Sequence, residues 1–488
     1  MKFILNPNVI LRGYRNMPYI YYFRGYGNAG RISEKECGIL RKMYTPCTAE
    51  VFHEKEDVFR RFLRQKLIKE YQTGDKVREY QQYRYCDCAY TPNVNWAVTG
   101  KCNYNCLHCF NAGYERESCD GFSREQAFRL IDEFCECGIM NVTITGGEPL
   151  LYPDFMDIVR YMDRKGLHLK AINTNGALIT QKMLEELYEF TPNTLFKISF
   201  DGFGYHDWLR NRQGAEKEAL LKINQLLANS FRVQIQTNLH RKNKDSILRT
   251  AKVFEALGVE RMRIIRTSES PRWKQNGRGM TLTIPEYFDY ARYFAKEYAD
   301  FAQTMQVDIW QVMKLNPRTK SYCYSGSRNH GTKCMKEIPV CCANRHTLAI
   351  TPEGETVPCN QMSGWMKMNR LSLGNVKEMP LKEILNDGAY RNAIDYSVEE
   401  LFERNPNICG ACRYRFVCLG GCRACAILHG SSESGKGLTG MDAYYGNYDS
   451  LKCLFYNEYL SQFEAMWKDR DWKCDNPVFP ENNTQDLT

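Results

Sequence analysis

The chain has no run of about 20 apolar residues, so no membrane-spanning helix is expected. It also lacks a secretory start, because MKFILNPNVILRGYR breaks its apolar run with Asn and Pro before a signal-peptide core forms. A cytoplasmic protein is therefore expected, in which cysteines are metal ligands or free thiols rather than disulfides. Cysteine itself is missing from the long middle stretch between Cys137 and Cys323, although the chain holds 22 of them. With 488 residues, 43% hydrophobic and 25% charged, the rest of the composition is that of a globular protein of two or three domains.

What is present begins with Cys102, Cys106 and Cys109, three thiols in the spacing CxxxCxxC just after the apolar run from Val94 to Val98. Three thiolates that close can hold three irons of a cubane cluster, which leaves the fourth iron open. An open metal position binds something other than protein. A tetrahedral zinc site completed by His108 or a distant Cys is the alternative. The spacing resembles the signature of the radical S-adenosylmethionine (SAM) superfamily, in which the amino and carboxylate groups of SAM chelate the open iron.

From about residue 90 apolar runs begin near Val94, Val142, Leu169, Leu195, Val233 and Met262, with helical patterns between them at Arg124 to Phe134, Phe155 to Met162 and Ala219 to Leu227. Six such units predict a parallel sheet curled into a partial (β/α)6 barrel, an α/β fold whose ligands collect at the carboxyl ends of the strands. Polar stretches stand where that rule requires: Thr145-Gly146-Gly147-Glu148-Pro149, Asn173-Thr174-Asn175-Gly176 and Ser199-Phe200-Asp201-Gly202. Gly146 and Gly147 let backbone approach a ligand, and Glu148 supplies an anion.

These stretches match further positions of the family. The resemblance implies that Glu148 and nearby carbonyls take the SAM amino group, and that Ser199 and Asp201 meet the ribose or the methionine part. It also implies that Arg210 pairs with the SAM carboxylate, a task suited to a guanidinium fork. Asn173, Thr174 and Asn238 are further candidates, and His108 stands where the family places an aromatic near adenine.

Cysteines return at the far end as Cys342, then Gly354 to Cys359 as GxxxxC, then Cys409, Cys412, Cys418 and Cys422 as CxxC-x5-C-x3-C, with Cys453 beyond. This resembles the SPASM extension of radical SAM proteins. By that resemblance Cys342, Cys359 and Cys422 hold a first auxiliary 4Fe-4S cluster, and Cys409, Cys412, Cys418 and Cys453 a second. The fourth ligand of the first is Cys334 or Cys341, or the iron is open. A zinc ribbon is the alternative. Cys425, Cys86, Cys88, Cys119, Cys135 and Cys137 fit no motif and read as ordinary thiols. The formal charge of +9 counts every Cys as neutral, and three thiolate-bound clusters would remove roughly five charges, so nucleic acid is not expected as a partner.

Residues 1–85 read as a separate unit. Two strand-like runs, Phe3 to Leu11 and Tyr19 to Phe23, precede turn residues Gly25, Gly27 and Gly30, and Ser33 can cap a helix carrying Cys37, Leu40 and Met43. The stretch from Glu54 to Tyr71 places Phe59, Phe62, Leu63 and Leu67 on one helical face, with Arg60, Arg61, Arg64 and Lys69 opposite. The order resembles the winged-helix-like leader-peptide recognition domain of radical SAM peptide maturases. A groove between its edge strand and that helix would then accept an acidic leader as an added strand.

The expected architecture is a winged-helix-like unit at 1–85, the radical SAM barrel at 86–285, a bridging region at 286–335, the SPASM domain at 336–470 and a tail at 471–488. The resemblance implies an enzyme that uses SAM and three 4Fe-4S clusters to modify a ribosomal precursor peptide, by crosslink formation or epimerisation, with a reductant such as flavodoxin or ferredoxin. The residue after the GxxxxC cysteine is Asn360, which cannot act as a general base, so formylglycine formation is disfavoured. The alternatives are a maturase or dehydrogenase acting on a folded protein or small alcohol, and a non-catalytic iron–sulfur electron-transfer or nucleic-acid-binding protein.

Overall fold

The computed structural model describes residues 1–25, 28–52, 55–109, 119–267, 270–325, 335–341, 345–386, 388–435 and 437–477. Six parallel strands run in sequence order: Asn93–Thr99, Asn141–Gly146, His168–Thr174, Leu195–Ser199, Arg232–Leu239 and Arg261–Arg266. Residues alternate in facing along each strand. Phe196, Ile198, Val233, Ile235, Met262 and Ile264 are buried outward, under helices whose own stripes supply Ala219, Ile223, Leu226, Ile247, Ala251 and Phe254. The intervening positions line the lumen and are mostly polar, among them Thr143, Asn173, Lys197, Gln234, Gln236 and Arg263. The helices extend the expected spans, as Arg124–Glu136, Phe155–Arg164 and Ala215–Ala228, and Ser123 starts the first with a capping box to Gln126.

The barrel sheet does not stop at six strands. Among the described residues it is twelve-stranded. At one edge Thr347–Ile350 pairs parallel with the first barrel strand and is followed by Thr356–Val357. At the other, Gln306–Ile309, Met313–Asn316 and Ser321–Tyr324 extend it, and Lys473–Cys474 adds a last parallel pair. Two expected boundaries therefore change meaning. The region 286–335 continues the sheet rather than merely bridging, and 471 falls inside the fold, because Lys473–Cys474 pairs with Ser321–Tyr322, with Lys473 N donating to Lys320 O and Asp475 N to Tyr322 O.

The amino-terminal unit has its own core of Phe3, Leu5, Val9, Leu11, Leu40, Phe52, Phe62 and Leu67. Strands Val9–Tyr14 and Met17–Phe23 form a hairpin, flanked by Ala29–Arg31 on one side and Arg84–Cys86 on the other. Ser33 caps the helix Glu34–Lys42 with a capping box to Glu36. Three expectations are corrected here. Gly30 lies in the edge strand Ala29–Arg31 rather than a turn, where a Cβ would come within 2.4 Å of the Tyr21 ring; Gly27 lies outside the described residues. The helix expected from Glu54 to Tyr71 covers only Glu56–Arg64, because Lys66 turns left-handed at φ 58° and Ile68–Glu70 then pairs with Phe3–Leu5. The apolar side of that helix is spent on the unit's own core, with Phe59 packed on Phe3 and Phe52, rather than on a groove. Its basic residues are also engaged: Arg60 pairs with Glu56, Arg61 with Glu36 and Lys69 with Asp75. The unit leans on the barrel through Tyr14, whose hydroxyl donates to Gly138 O at 2.5 Å. Among the described residues no helix is long and apolar enough to cross a membrane.

Candidate active site

Cys102, Cys106 and Cys109 lie on the loop that leaves the first barrel strand, and neighbouring strand ends fix that loop from several sides. Gly147 N donates to Thr99 O and Glu148 N to Lys101 O, both at 2.8 Å, and Leu107 N donates to Leu209 O at 2.9 Å. Asn175 Nδ2 reaches Asn103 Oδ1 at 2.7 Å, and Arg272 reaches Asn105 Oδ1 at 2.6 Å. A Cβ on Gly147 would stand 2.2 Å from Lys101 O, so only glycine lets the second strand end approach the cysteine loop this closely.

Glu148 is fully buried. Its carboxylate accepts from Thr174 Oγ1 at 2.7 Å, Asn175 N at 2.9 Å and Leu150 N at 3.1 Å, so it ties the second strand end to the third. Burial pushes its carboxyl up to about 7, against the pull of those three donors. The carboxylate is therefore engaged by these three donors.

Asp201 is the hub on the opposite side. It accepts from Arg210 Nε at 2.7 Å and Asn238 N at 2.9 Å, and His206 Nδ1 lies 3.2 Å away. Burial alone would raise its carboxyl, but the Arg210 guanidinium and His206 outweigh that and hold it well below the usual carboxylate range. Arg210 Nη1 also points at Cys106 Sγ, at 3.8 Å. Arg210 thus spends two of its donor positions on protein. Asn238 Nδ2 donates to His108 Nε2 at 3.0 Å, so the proton of that ring is on Nδ1, which is buried without a partner. Burial, with Arg210 nearby, pushes His108 down to about 3 and keeps it neutral. Asn173 Oδ1 is likewise buried and unpartnered.

The carboxyl-terminal cysteines gather in two sets. Cys409, Cys412, Cys418 and Cys453 line one largely apolar pocket, Cys453 arriving from the helix Ser450–Leu454. Tyr414 N approaches Cys412 Sγ at 3.4 Å, and Asn457 Nδ2 approaches Cys453 Sγ at 3.6 Å. Between Cys418 and Cys422 three successive residues, Leu419, Gly420 and Gly421, are left-handed, with φ of 51°, 77° and 74°. That reversal turns Cys422 away from the first pocket and toward Cys359 and Cys341, whose thiols feel one another's charge. Cys334 and Cys342 lie outside the described residues. Cys425, read from the sequence as an ordinary thiol, hydrogen-bonds to Cys422.

The donor set fits iron–sulfur clusters and SAM. Burial raises the Cys102 thiol to about 11 and the Cys359 and Cys409 thiols to about 12, so thiolates form at these positions only when cationic metal arrives. The orphaned His108 N–H and Asn173 carbonyl are polar positions that a nucleoside can satisfy.

Comparison with known proteins agrees with this geometry. A profile of the radical SAM superfamily matches residues 96–254, and a profile of SPASM, an iron–sulfur cluster-binding domain, matches residues 341–413. The chain is a radical SAM enzyme. More narrowly, it combines the radical SAM barrel with a SPASM iron–sulfur domain. It is 27% identical over 335 residues to an AdoMet-dependent heme synthase of Methanosarcina barkeri, covering 68% of this chain and 90% of that one. It is 26% identical over 344 residues to the mycofactocin maturase MftC of Mycobacterium tuberculosis, covering 69% and 79%. The structure of SuiB from Streptococcus suis, bound to the precursor peptide SuiA, superposes with a TM-score of 0.63 at 14% identity, over 87% of this chain and 96% of SuiB.

Proposed function

We propose that this radical SAM/SPASM enzyme modifies side chains of a ribosomally made peptide, by forming a carbon–carbon, thioether or ether crosslink or by epimerising a residue. The observation that carries this reading is the amino-terminal unit. It has its own core and an edge strand, Ala29–Arg31, paired on one side only among the described residues. The share of the chain that superposes on SuiB, 87%, is more than residues 86–488 alone can reach, and that relative holds a precursor peptide. A leader adding a strand to Ala29–Arg31 would tether the substrate beside the barrel and raise its local concentration.

Cys102, Cys106 and Cys109 would hold three irons of the SAM-binding cluster. Cys409, Cys412, Cys418 and Cys453 would hold one auxiliary cluster; Cys341, Cys359 and Cys422, with Cys342 or Cys334, would hold another. Held there, the loop cluster would supply one-electron reductive chemistry toward bound SAM, with a reductant such as flavodoxin or ferredoxin as the electron source. The chain supplies the containment. Asp201 and Asn238 orient His108, Arg210 places a fixed positive charge beside Cys106, and the glycines bring backbone carbonyls against the loop. The relatives named heme synthases support a second reading, a small-molecule substrate in the same barrel.

Truncation separates the two. A protein beginning at Tyr85, loaded with clusters, is expected to cleave SAM slowly without substrate yet to modify poorly a precursor peptide encoded beside its gene. Mass spectrometry of the peptide against deoxyadenosine yield measures both. Equal precursor turnover with and without residues 1–84 overturns the leader-binding reading.

A further inference from the structure

The lumen of the barrel carries charge that the SAM site does not use. Lys197 points inward between the outward-buried Phe196 and Ile198. Strand register places it beside Asn173 on one neighbour and Gln234 on the other, and places Gln236 beside Arg263 on the next pair. It stands two residues before Ser199, about 7 Å below the strand end where SAM is expected.

Arg263 is ion-paired with Asp308 at 2.6 Å, and it lies near enough to Cys359 of the SPASM domain to offset part of the burial that raises that thiol. The lumen therefore lies between the cysteine loop at one side and an auxiliary cysteine at another. Lys197 has no such counterion. Among the described residues no carboxylate or other acceptor meets its ammonium, and the charged groups around it are the cations of Arg263, Lys170 and Arg261. Two of these cations have partners of their own, Lys170 with Asn93 Oδ1 at 3.2 Å and Arg261 with Glu260 at 3.3 Å. Lys197 is only partly reached by water, and an ammonium surrounded by like charge inside a narrow lumen gains when an anion joins it.

We propose that Lys197, seconded by Arg263, is a substrate-binding residue that receives a carboxylate of the substrate peptide and so holds the reacting carbon between the SAM loop and Cys359. The carboxylate comes from an acidic side chain or from the peptide's C-terminus. The inference rests on the barrel being the reaction chamber of the function proposed above, and it specifies the class of residue that enters it. SAM's own carboxylate belongs one level higher, near Arg210.

The test reads Lys197 directly and needs no turnover. Anaerobic holoenzyme saturated with SAM is labelled with trace acetic anhydride, and peptide mass spectrometry compares Lys197 with the exposed Lys217. N-acetylglutamate α-amide, which offers only a side-chain carboxylate, and N-acetylalanylalanine, which offers only a terminal one, are the probes. Their uncharged amides are the controls. At least one acid is expected to slow Lys197 labelling about fivefold relative to its amide, and the acid that protects names the source. Equal labelling with acid and amide, or equal protection by sodium sulfate, overturns the proposal. Lys197→Met should leave substrate-free SAM cleavage and SAM affinity unchanged while precursor turnover falls and Lys197→Arg restores it; weakened SAM binding in Lys197→Met would assign the residue to SAM and also overturn it. Because protection is measured without the leader-bearing peptide, its failure is distinct from failure of the truncation test.

Discussion

Replacing Arg210 with Met removes a charge while keeping much of the side chain's length. The carboxylate it serves is fully buried, so the consequence is large. Asp201 loses the 2.7 Å bond from Nε and keeps Asn238 N at 2.9 Å and the neighbouring His206. Removing one partner of a buried ion pair costs about 3–5 kcal/mol, against 0–1 kcal/mol for an exposed pair. Since two polar neighbours remain, about 3 kcal/mol is expected. The pH dependence follows from the same geometry. In the wild type the folded carboxyl is depressed, so its stabilisation is complete above the unfolded value of about 4 and is lost only at lower pH. In Arg210→Met burial raises that carboxyl instead, and the variant regains stability as pH falls from 7.5 toward 5. Urea unfolding of the iron-free protein, followed by tryptophan fluorescence at three pH values, measures both effects. Adding Asp201→Ala to Arg210→Met should cost less than the two single changes together, with a coupling of at least about 2 kcal/mol. A loss under about 1 kcal/mol, additive and independent of pH, would refute the buried-pair argument.

Three further outcomes are expected. Reconstituted protein should carry about 12 irons per chain and no zinc, and Cys453→Ala should lose about four irons while SAM cleavage at the loop of Cys102, Cys106 and Cys109 persists, as read by iron analysis and deoxyadenosine yield. Gly421→Ala, whose Cβ would stand 2.5 Å from Asp449 Cβ at φ 74°, should cost at least about 2 kcal/mol and lower iron loading, measured by thermal unfolding and metal content. Burial, with the cations of Arg263, Lys170 and Arg261, lowers Lys197 to about 8, so carboxylate protection of Lys197 should fade as labelling pH rises through 8, where the ammonium is lost and only Arg263, already paired to Asp308, remains positive.

Much of the site was legible because its parts are local. The cysteine loop, the glycine pair and the polar residues after each strand occupy a few consecutive positions each. Apolar runs placed all six barrel strands, and period-3.6 patterns placed three of the helices between them, while Gln181–Phe190 and Lys244–Ala256 were not read. What was not legible depended on distant partners. The helix from Glu56 ends at Arg64 because Ile68–Glu70 finds Phe3–Leu5, which outweighs a helical pattern that runs on to Leu67. Lys473 and Cys474 resemble a tail until Ser321 and Tyr322 offer an edge to pair with. Glu148 and Arg210 carry the residue types for gripping SAM, yet their side chains are mostly engaged by Thr174, Asn175, Asp201 and Cys106, which only close packing of strand ends reveals.

By itself the sequence determined which atoms were available: three thiols in one loop, a parallel barrel, and a cysteine-rich end with enough ligands for auxiliary clusters. Those follow from spacing and periodicity, which act over a few residues. The tertiary structure alone decided the grouping. It brought Cys453 to Cys409, Cys412 and Cys418, and turned Cys422 away from Cys418 through three left-handed residues. It also left Lys197 in the lumen with no counterion among the described residues, because whether a charge is paired depends on which neighbouring strands the folded sheet sets beside it.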